Sequence, residues 1–302
     1  MKNTRVYWMQ AITPLHVGAG KGVGFIDMPI MREKVTDWPL VPGSAVKGVL
    51  RDHFYQNGNS DQKNPKNIDI AFGKQVVDDS SNAGSLILTD AHIVCMPIRS
   101  LYGTFAYVTS PLVLERLKRV LEAVGYKPPA VPSPEKNEAM VVEESKIAGK
   151  GKVYFEDLDF DAKPDENTKK WAELLGAAIF PKDITNETRW RSIFEERFAV
   201  LFDDSFNFLS KTGTEVTAHV RIEDETKIVA QGALWYEETL PAEAVLAGIA
   251  WCDRVYGDNG HDKGITKDKI LETYCINDKL DVQIGGKATV GKGRVKFSFT
   301  RS

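Results

Sequence analysis

The chain has 302 residues, 42% hydrophobic and 27% charged, with a formal net charge of -3, the profile of an ordinary globular chain with material for one large domain or two small ones. Its three cysteines, Cys95, Cys252 and Cys275, are scattered without C-x-x-C or histidine spacing, which excludes a disulfide framework and a structural zinc site. No basic-then-apolar leader and no long uninterrupted apolar run is present, so a membrane span is excluded and a reducing cytoplasm is the expected setting.

Arg5 to Ile12 reads as a strand apolar on both faces, ended by Thr13-Pro14 and leading directly into a glycine-rich loop, Gly18 to Gly24, that includes Gly20 and Lys21. Beyond Pro42, Ser44 is the expected cap of a helix whose apolar Val46, Val49, Leu50 and Phe54 recur at helical spacing. That spacing sets Lys47 and Arg51 one turn apart near the positive end of the helix, where an anion is favoured; the plainer reading is a solvated helix flank. Tyr55 to Ser85 is polar and expected to be loop-rich, and Ser85 to Ile98 reads as a strand. Thr109 or Ser110 then caps a helix with Pro111 in its first turn and Val113, Leu117, Val120, Leu121 and Val124 inward, stopped by Gly125. Lys127 to Lys170, rich in proline and charge, reads as an irregular excursion around a short strand near Lys152 to Phe155.

A second amphipathic helix is expected over the stripe Trp190, Ile193, Phe194, Phe198, Leu201 and Phe202. Val216 to Ile222 and Lys227 to Tyr236, joined by a charged turn from Glu223 to Thr226, read as a hairpin able to project from the body. Glu243 to Cys252 combines helix-like alanines with a position after Pro241 that suits a buried strand, and the strand is preferred. Lys267 to Ile276 reads as a helix. Val295, Phe297 and Phe299 alternate with Arg294, Lys296 and Ser298 in a closing strand that follows a second glycine-rich loop, Gly285 to Gly293. The expected architecture is an α+β sheet with helices on one face, for which a ferredoxin-like core, single or duplicated, is the natural candidate.

Three elements in this layout suit anionic oxygens: Gly18 to Gly24, the segment Gly43-Ser44-Ala45-Val46-Lys47-Gly48, and Gly285 to Gly293 with Gly286, Gly291 and Lys292. Glycines let main-chain N–H groups converge on an anion, and each element carries a lysine. Three such places fit a phosphodiester polymer better than a single nucleotide. The last loop nearly matches G-x-x-x-x-G-K-[ST] but ends on Gly293 and precedes a strand, and Val23 breaks the dinucleotide fingerprint in the first, so both nucleotide readings fail. Charge is segregated: Lys287 to Arg301 holds five basic residues and no acids, whereas Glu156 to Glu166 holds six acids and one lysine.

Asp27 follows the first loop almost immediately, where a carboxylate can hold a divalent cation or orient a ribose 2′-hydroxyl for in-line attack on phosphorus; a turn or capping aspartate is the bland alternative. His16 opens the same loop and can carry protons near neutral pH, although a lone histidine is more often a hydrogen-bonded structural residue. Trp235-Tyr236-Glu237-Glu238 ends the hairpin with two aromatics able to stack on a base and two further carboxylates. The histidines His53, His92, His219 and His261 have no ligand spacing and receive no role.

These residues carry a resemblance. Thr13-Pro14-Leu15-His16-Val17-Gly18, Asp27-Met28-Pro29-Ile30, Pro42 to Gly48 with Arg51, and Gly285-Gly286 to Gly293 resemble the RAMP superfamily of CRISPR proteins. Arg99-Ser100-Leu101, Tyr107 to Pro111 and Gly232 to Glu238 make the chain similar to the repeated backbone subunit of the type III-B (Cmr) effector complex, over nearly its whole length. The resemblance implies one RAMP domain over 1–302: an RRM-like palm over about 1–210 and 244–302, a helical insertion, and a protruding β-hairpin thumb over about 211–243. It also implies copies stacked along a guide RNA beside other subunits of the complex, each copy cutting complementary target RNA.

On that resemblance Asp27 is the catalytic acid and metal ligand, with magnesium or manganese as the divalent ion. His16 and Glu237 or Glu238 assist, while Lys47, Arg51 and the terminal glycine loop hold the guide. The expected activity is a metal-dependent endoribonuclease leaving a 2′,3′-cyclic phosphate. A non-catalytic RNA scaffold and a stand-alone guide-processing nuclease are the competing readings.

Overall fold

The computed structural model describes residues 3–20, 22, 24–74, 83–180, 185–225, 227–256, 265–276 and 279–300; Lys21, Val23, Thr226, His261 and Arg301 lie outside the described residues. In chain order the first half runs β1 (Thr4–Ala11), β2 (Leu40–Val41), α1 (Gly43–Asn57), α2 (Pro65–Phe72), β3 (Ile87–Leu88), β4 (Ala91–Arg99), β5 (Phe105–Thr109), α3 (Pro111–Ala123), β6 (Glu138–Val141), β7 (Ala148–Gly149), β8 (Lys152–Phe155) and β9 (Leu158–Pro164). The second half runs α4 (Glu166–Ile179), α5 (Thr185–Glu195), β10 (Phe198–Leu201), α6 (Asp203–Thr212), β11 (Glu215–Ile222), β12 (Val229–Thr239), β13 (Val245–Trp251), α7 (Lys267–Tyr274), β14 (Leu280–Gln283) and β15 (Arg294–Thr300).

β1 sends Val6 and Trp8 to one face and Tyr7, Met9 and Ala11 to the other, and all five are buried. A strand apolar on both faces needs cover on both, and this organises the molecule. Thirteen strands share one mixed sheet in the order β14-β15-β1-β13-β4-β5-β10-β6-β9-β8-β7, with β2 on β4 and β3 on β13. At its centre β15, β1, β13 and β4 are each antiparallel to their neighbours, α1 falling between β1 and β4 in the chain and α7 between β13 and β15.

Helices cover both faces, which corrects the expectation of a single helical layer. Leu50 of α1, Ile68 of α2, Phe206 of α6 and Tyr274 of α7 pack on the side of Tyr7 and Met9. Leu117 of α3, Trp171 of α4 and Phe194 of α5 pack on the side of Val6 and Trp8. Among the described residues no helix is long and apolar enough to cross a membrane. Cys95, Cys252 and Cys275 are buried free thiols, in keeping with the absence of a disulfide pattern.

Several expected elements hold. β1, the strand reading of β13, α7 and β15 fall where they were placed, and Ser110, not Thr109, caps α3 by accepting the Val113 N–H. The expected helix over Trp190 to Phe202 is instead two elements. α5 stops at Glu195, and Phe198 to Leu201 lie fully buried as β10 between β5 and β6. A short run buried on both faces satisfies helical and strand spacing equally, and Trp190, assigned inward, is 41% exposed.

Tyr55 to Ser85 is less loop-rich than expected: α1 continues to Asn57, and α2 starts where Asn64 caps the Lys66 N–H ahead of Pro65. The expected strand over Ser85 to Ile98 splits into β3 and β4, and β5 follows it. The excursion from Lys127 to Lys170 contains β6 to β9, which extend the sheet. The hairpin projects as expected, since β11 and β12 form a two-stranded sheet of their own outside the large one, but β12 runs three residues beyond Tyr236, and its base there bridges to Met28.

The segment between β1 and β2 is pinned to the helical layer. The Arg116 guanidinium of α3 donates to both oxygens of Glu33, each at 2.7 Å, and Trp38 packs edge-on to Phe206 with ring centroids 5.4 Å apart. The Arg116 bonds hold the Glu33 carboxyl down to about 2 from its ordinary 4.5. A depressed carboxyl stabilises the fold above its unfolded value, and that contribution disappears as pH falls from about 4.5 to about 2. The unfolding free energy, followed by thermal denaturation across that window, should therefore fall by about 1 kcal/mol more in the wild type than in Glu33→Gln, the partly exposed pair being screened by solvent.

Candidate functional site

Three segments meet where the hairpin leaves the body. The chain after β1 is stitched to the base of β12 by main-chain bonds: Leu15 and Leu240 exchange N–H groups at 2.8 and 2.9 Å, Met28 N–H donates to the Tyr236 carbonyl at 3.0 Å, and Glu238 N–H donates to the Met28 carbonyl at 3.0 Å. The loop between β14 and β15 is tied to the same chain, with Gly286 N–H on the His16 carbonyl at 2.9 Å and Gly293 N–H on the Pro14 carbonyl at 2.8 Å. A side chain on Gly285, at φ +83, would run into that His16 carbonyl, so this glycine serves close approach as well as backbone freedom.

Asp27 is exposed, and its Oδ2 accepts the Tyr236 N–H at 2.8 Å. The bond fixes the direction of the carboxylate without burying it. His16 is 5% exposed and places Nδ1 2.8 Å from the Glu238 carbonyl oxygen. A carbonyl only accepts, so Nδ1 carries the proton and Nε2 is the free position, beside Gly18 and its missing side chain. Gly18, Gly20, Gly24 and Phe25 are exposed around the first loop, and Phe25 meets Tyr236 edge-on at 6.4 Å.

Adjacent glutamates point to opposite sides of β12, as strand alternation requires. Glu238 is buried, and its oxygens take Arg32 at 2.6 Å, the Thr214 hydroxyl at 2.9 Å and the Ile30 N–H at 3.0 Å. Glu237 is 1% exposed; Lys292 Nζ lies 2.8 Å from Oε1 and Lys287 Nζ 3.3 Å from Oε2. Burial pushes its carboxyl up, and the bonds from Lys292 and Lys287 outweigh that and hold it below the ordinary carboxylate range. His219 lies opposite Trp235 across the hairpin, stacked at 5.6 Å, with Nε2 3.7 Å from Glu237 Oε2.

Ser44, Lys47 and Arg51 lie in a different place, on α1, whose packing partners are α2, β3 and β14. Ser44 does not cap the helix: Pro42 occupies the cap position, and the Asp90 carboxylate takes the Gly43 N–H at 2.8 Å, already supplying an anion there. Arg51 pairs with Asp69 of α2 at 3.3 Å. Lys47 is half-buried against Gly84, and that burial lowers its pKa.

Among the described residues no group of three or more His, Cys, Asp or Glu side chains could hold a metal ion. The neighbouring Glu237 and Glu238 are committed to cations, which leaves Asp27 as a single exposed carboxylate. Such a residue fits a magnesium-type ion only where a bound substrate brings the remaining oxygens. His219, Lys287, Arg32 and Thr214 were not picked out as site residues from sequence. The signal for His219 was its cross-strand register with Trp235, hidden by an irregularity between Val220 and Ile222.

The RAMP superfamily model matches residues 8–296. The chain is 35% identical over 290 residues to the CRISPR system Cmr endoribonuclease Cmr4 of Pyrococcus furiosus, covering 96% of this chain and 93% of that protein. It is similar to the crystal structure of oligomeric Cmr4 from the same organism, with a TM-score of 0.72, 27% identity, and 100% and 99% of the two chains covered. It also shares the fold of a chain in the type III-B Cmr-beta complex bound to cognate target RNA, at a TM-score of 0.73, 18% identity, and 99% and 98% coverage.

The geometry separates the two acids beside the stitch. Glu238→Ala strands Arg32 in a largely buried position and should lower unfolding free energy by about 3 kcal/mol. Asp27→Asn keeps an acceptor for the Tyr236 N–H at an exposed position and should stay within about 0.5 kcal/mol of the wild type. Urea denaturation of both variants reads the difference.

Proposed function

The chain belongs to the RAMP superfamily, and on that footing we propose that it is a guide-RNA-binding backbone subunit of a CRISPR ribonucleoprotein, an endoribonuclease that cuts complementary target RNA at regular intervals. The observation that carries this reading is the exposed Asp27 carboxylate, fixed by a main-chain N–H where three loops meet. The 35% identity to a named endoribonuclease over nearly the whole chain supports it. The β15-β1-β13-β4 order, with α1 and α7 as its crossovers on one face, supports a ferredoxin-like, RRM-like palm. In this reading the chain is one domain, α3 to α5 with β6 to β10 are the insertion, and the β11-β12 ribbon is the thumb.

Asp27 orients a ribose 2′-hydroxyl for in-line attack. The 2′-oxygen bonds to the adjacent phosphorus, the bond to the leaving 5′-oxygen breaks, and the 2′-proton passes to the Asp27 carboxylate. The products are a 2′,3′-cyclic phosphate and a 5′-hydroxyl. His16, its Nδ1–H committed to the Glu238 carbonyl, presents Nε2 to the leaving oxygen, and as the imidazolium it gives up its Nε2 proton there to complete the 5′-hydroxyl. Glu238 positions both by closing the stitch. A divalent ion, magnesium or manganese, would be held by Asp27 together with RNA phosphate oxygens and would supply positive charge to the phosphoryl group. Trp235, Tyr236, Lys292 and the backbone at Gly18, Gly20, Gly285, Gly286, Gly291 and Gly293 line the RNA path, the Gly286, Gly291 and Gly293 N–H groups themselves being spent on the His16, Ala288 and Pro14 carbonyls; Ser44, Lys47 and Arg51 mark a second contact with the guide.

Stacked copies of the chain, a reading supported by its likeness to an oligomeric Cmr4, would be templated by the RNA and ended by other subunits. The scaffold reading draws on one observation, that both thumb glutamates are already paired and Asp27 has no acidic partner.

One experiment decides between them. In the reconstituted complex with labelled complementary target RNA, the wild type should give a ladder of constant spacing that disappears with chelator. Asp27→Asn should cut at least about a hundredfold more slowly, as expected for loss of a group acting in proton transfer, while binding guide RNA within about twofold. Full cleavage by Asp27→Asn rejects the assignment, and absence of a ladder from the wild type selects the scaffold.

A further inference from the structure

Glu237 is an anion held where an RNA contact is expected. Its two oxygens are shared between Lys292 at 2.8 Å and Lys287 at 3.3 Å, and His219 Nε2 stands 3.7 Å from Oε2, buried and without a hydrogen-bond partner among the described residues. Two ammonium groups and an imidazole around one carboxylate leave the cluster short of negative charge. A phosphodiester presents the same single charge on two terminal oxygens.

The loop that carries the lysines is prepared for such a guest. Gly285, Lys287, Gly291 and Gly293 all have positive φ, and Lys287 pays the strain of that region without being a glycine. The loop is anchored on both sides by the His16 and Pro14 carbonyls, and the Lys292 carbonyl is held by the Gln283 amide. Its position along β12 is also telling. Tyr236 N–H holds Asp27, and the next residue, Glu237, holds the lysines. Trp235, on the same strand face as Glu237, carries His219 stacked on its ring.

We propose that Lys287, Lys292 and His219 form a phosphate subsite for the RNA backbone, and that Glu237 is its resident stand-in, displaced when a phosphodiester enters. This rests on reading the chain as RNA-binding. Within that reading it moves Glu237 from the chemistry to the control of access: an incoming phosphate must outcompete an acid already in place, which favours a strand held at several points over a chance single contact.

The test uses the full chain, a labelled single-stranded oligouridylate and chelator to prevent turnover. Glu237→Gln should bind the RNA roughly tenfold more tightly because no acid has to be displaced, with a salt dependence close to that of the wild type because the same two lysines meet phosphate in both complexes. Lys287→Ala in the Glu237→Gln background should remove most of that gain. Equal or weaker binding by Glu237→Gln overturns the proposal.

A second arm is independent of the RNA reading. Inorganic phosphate should raise the melting temperature of Glu237→Gln more than that of the wild type, and should not do so once Lys287 is alanine. RNA binding by the wild type without either Glu237→Gln effect sinks the stand-in and leaves the nuclease reading intact. A phosphate effect with no RNA binding by any variant keeps the subsite and rejects the RNA reading. Should Glu237→Gln fail to fold, Lys287→Ala and Lys292→Ala in the wild-type background serve instead. Each should flatten the salt dependence by roughly 0.7, and no change in either overturns the subsite.

Discussion

The main-chain pairing between Met28 and the Tyr236–Glu238 stretch is the constraint on which the site depends. Without it, the segment from Gly18 to Ile30 would be a surface loop, and an exposed aspartate on such a loop would sample many directions at little cost. With it, Asp27 is referred to one amide of one strand, and His16, Arg32 and the terminal glycine loop fall into register around the same strand. The pairing is short, only an isolated parallel bridge in the sheet sense, so side chains must hold it closed. Glu238 does so by reaching across to the Ile30 amide and Arg32.

Burying two adjacent carboxylates is costly, and the arrangement around each shows what offsets the cost. A buried ion loses several kcal/mol of hydration, which its partners recover only if the geometry is good and the remaining lone pairs are satisfied. Glu238 meets both conditions with three donors of different kinds. Glu237 meets them with ammonium groups whose own hydration is partly kept, since Lys287 is about a third exposed. The first is a closed network with nothing left to give. The second is a looser cluster in which two cations share one carboxylate and, among the described residues, one imidazole nitrogen is unbonded, the kind of imbalance that functional sites tolerate and cores do not.

How much of this could be read from the chain depended on whether the information was local. β1 was legible because its alternation fixes both faces at once, and β15 because glycines punctuate its start. α3 was legible because Ser110, Pro111 and Gly125 mark both ends. β10 was not, because four consecutive buried residues carry no period, and its partners β5 and β6 are far away in sequence. The second helical layer followed in principle from the two apolar faces of β1 and from α3, yet α4, which completes it, follows a segment dominated by charge and proline. At the site, the motif residues Asp27, His16, Glu237 and Lys292 do come together, while Ser44, Lys47 and Arg51 keep to α1. What sequence could not supply was partnership: that Asp90 sits on the α1 terminus, that Asp69 takes Arg51, and that Glu237 and Glu238 face opposite neighbours.

β12 has one more consequence. It is a single continuous strand from Val229 to Thr239, with its root inside the body and its far half in a two-stranded ribbon whose Val220, Ile222, Val229 and Leu234 face solvent. The Asp27 carboxylate takes its bearing from that strand and not from the central sheet. A tilt of the ribbon about its root therefore swings the acid with it, and a small rotation there is magnified into a large sweep at the tip. Whatever grips the outer end of the ribbon sets the aim of the carboxylate at its base.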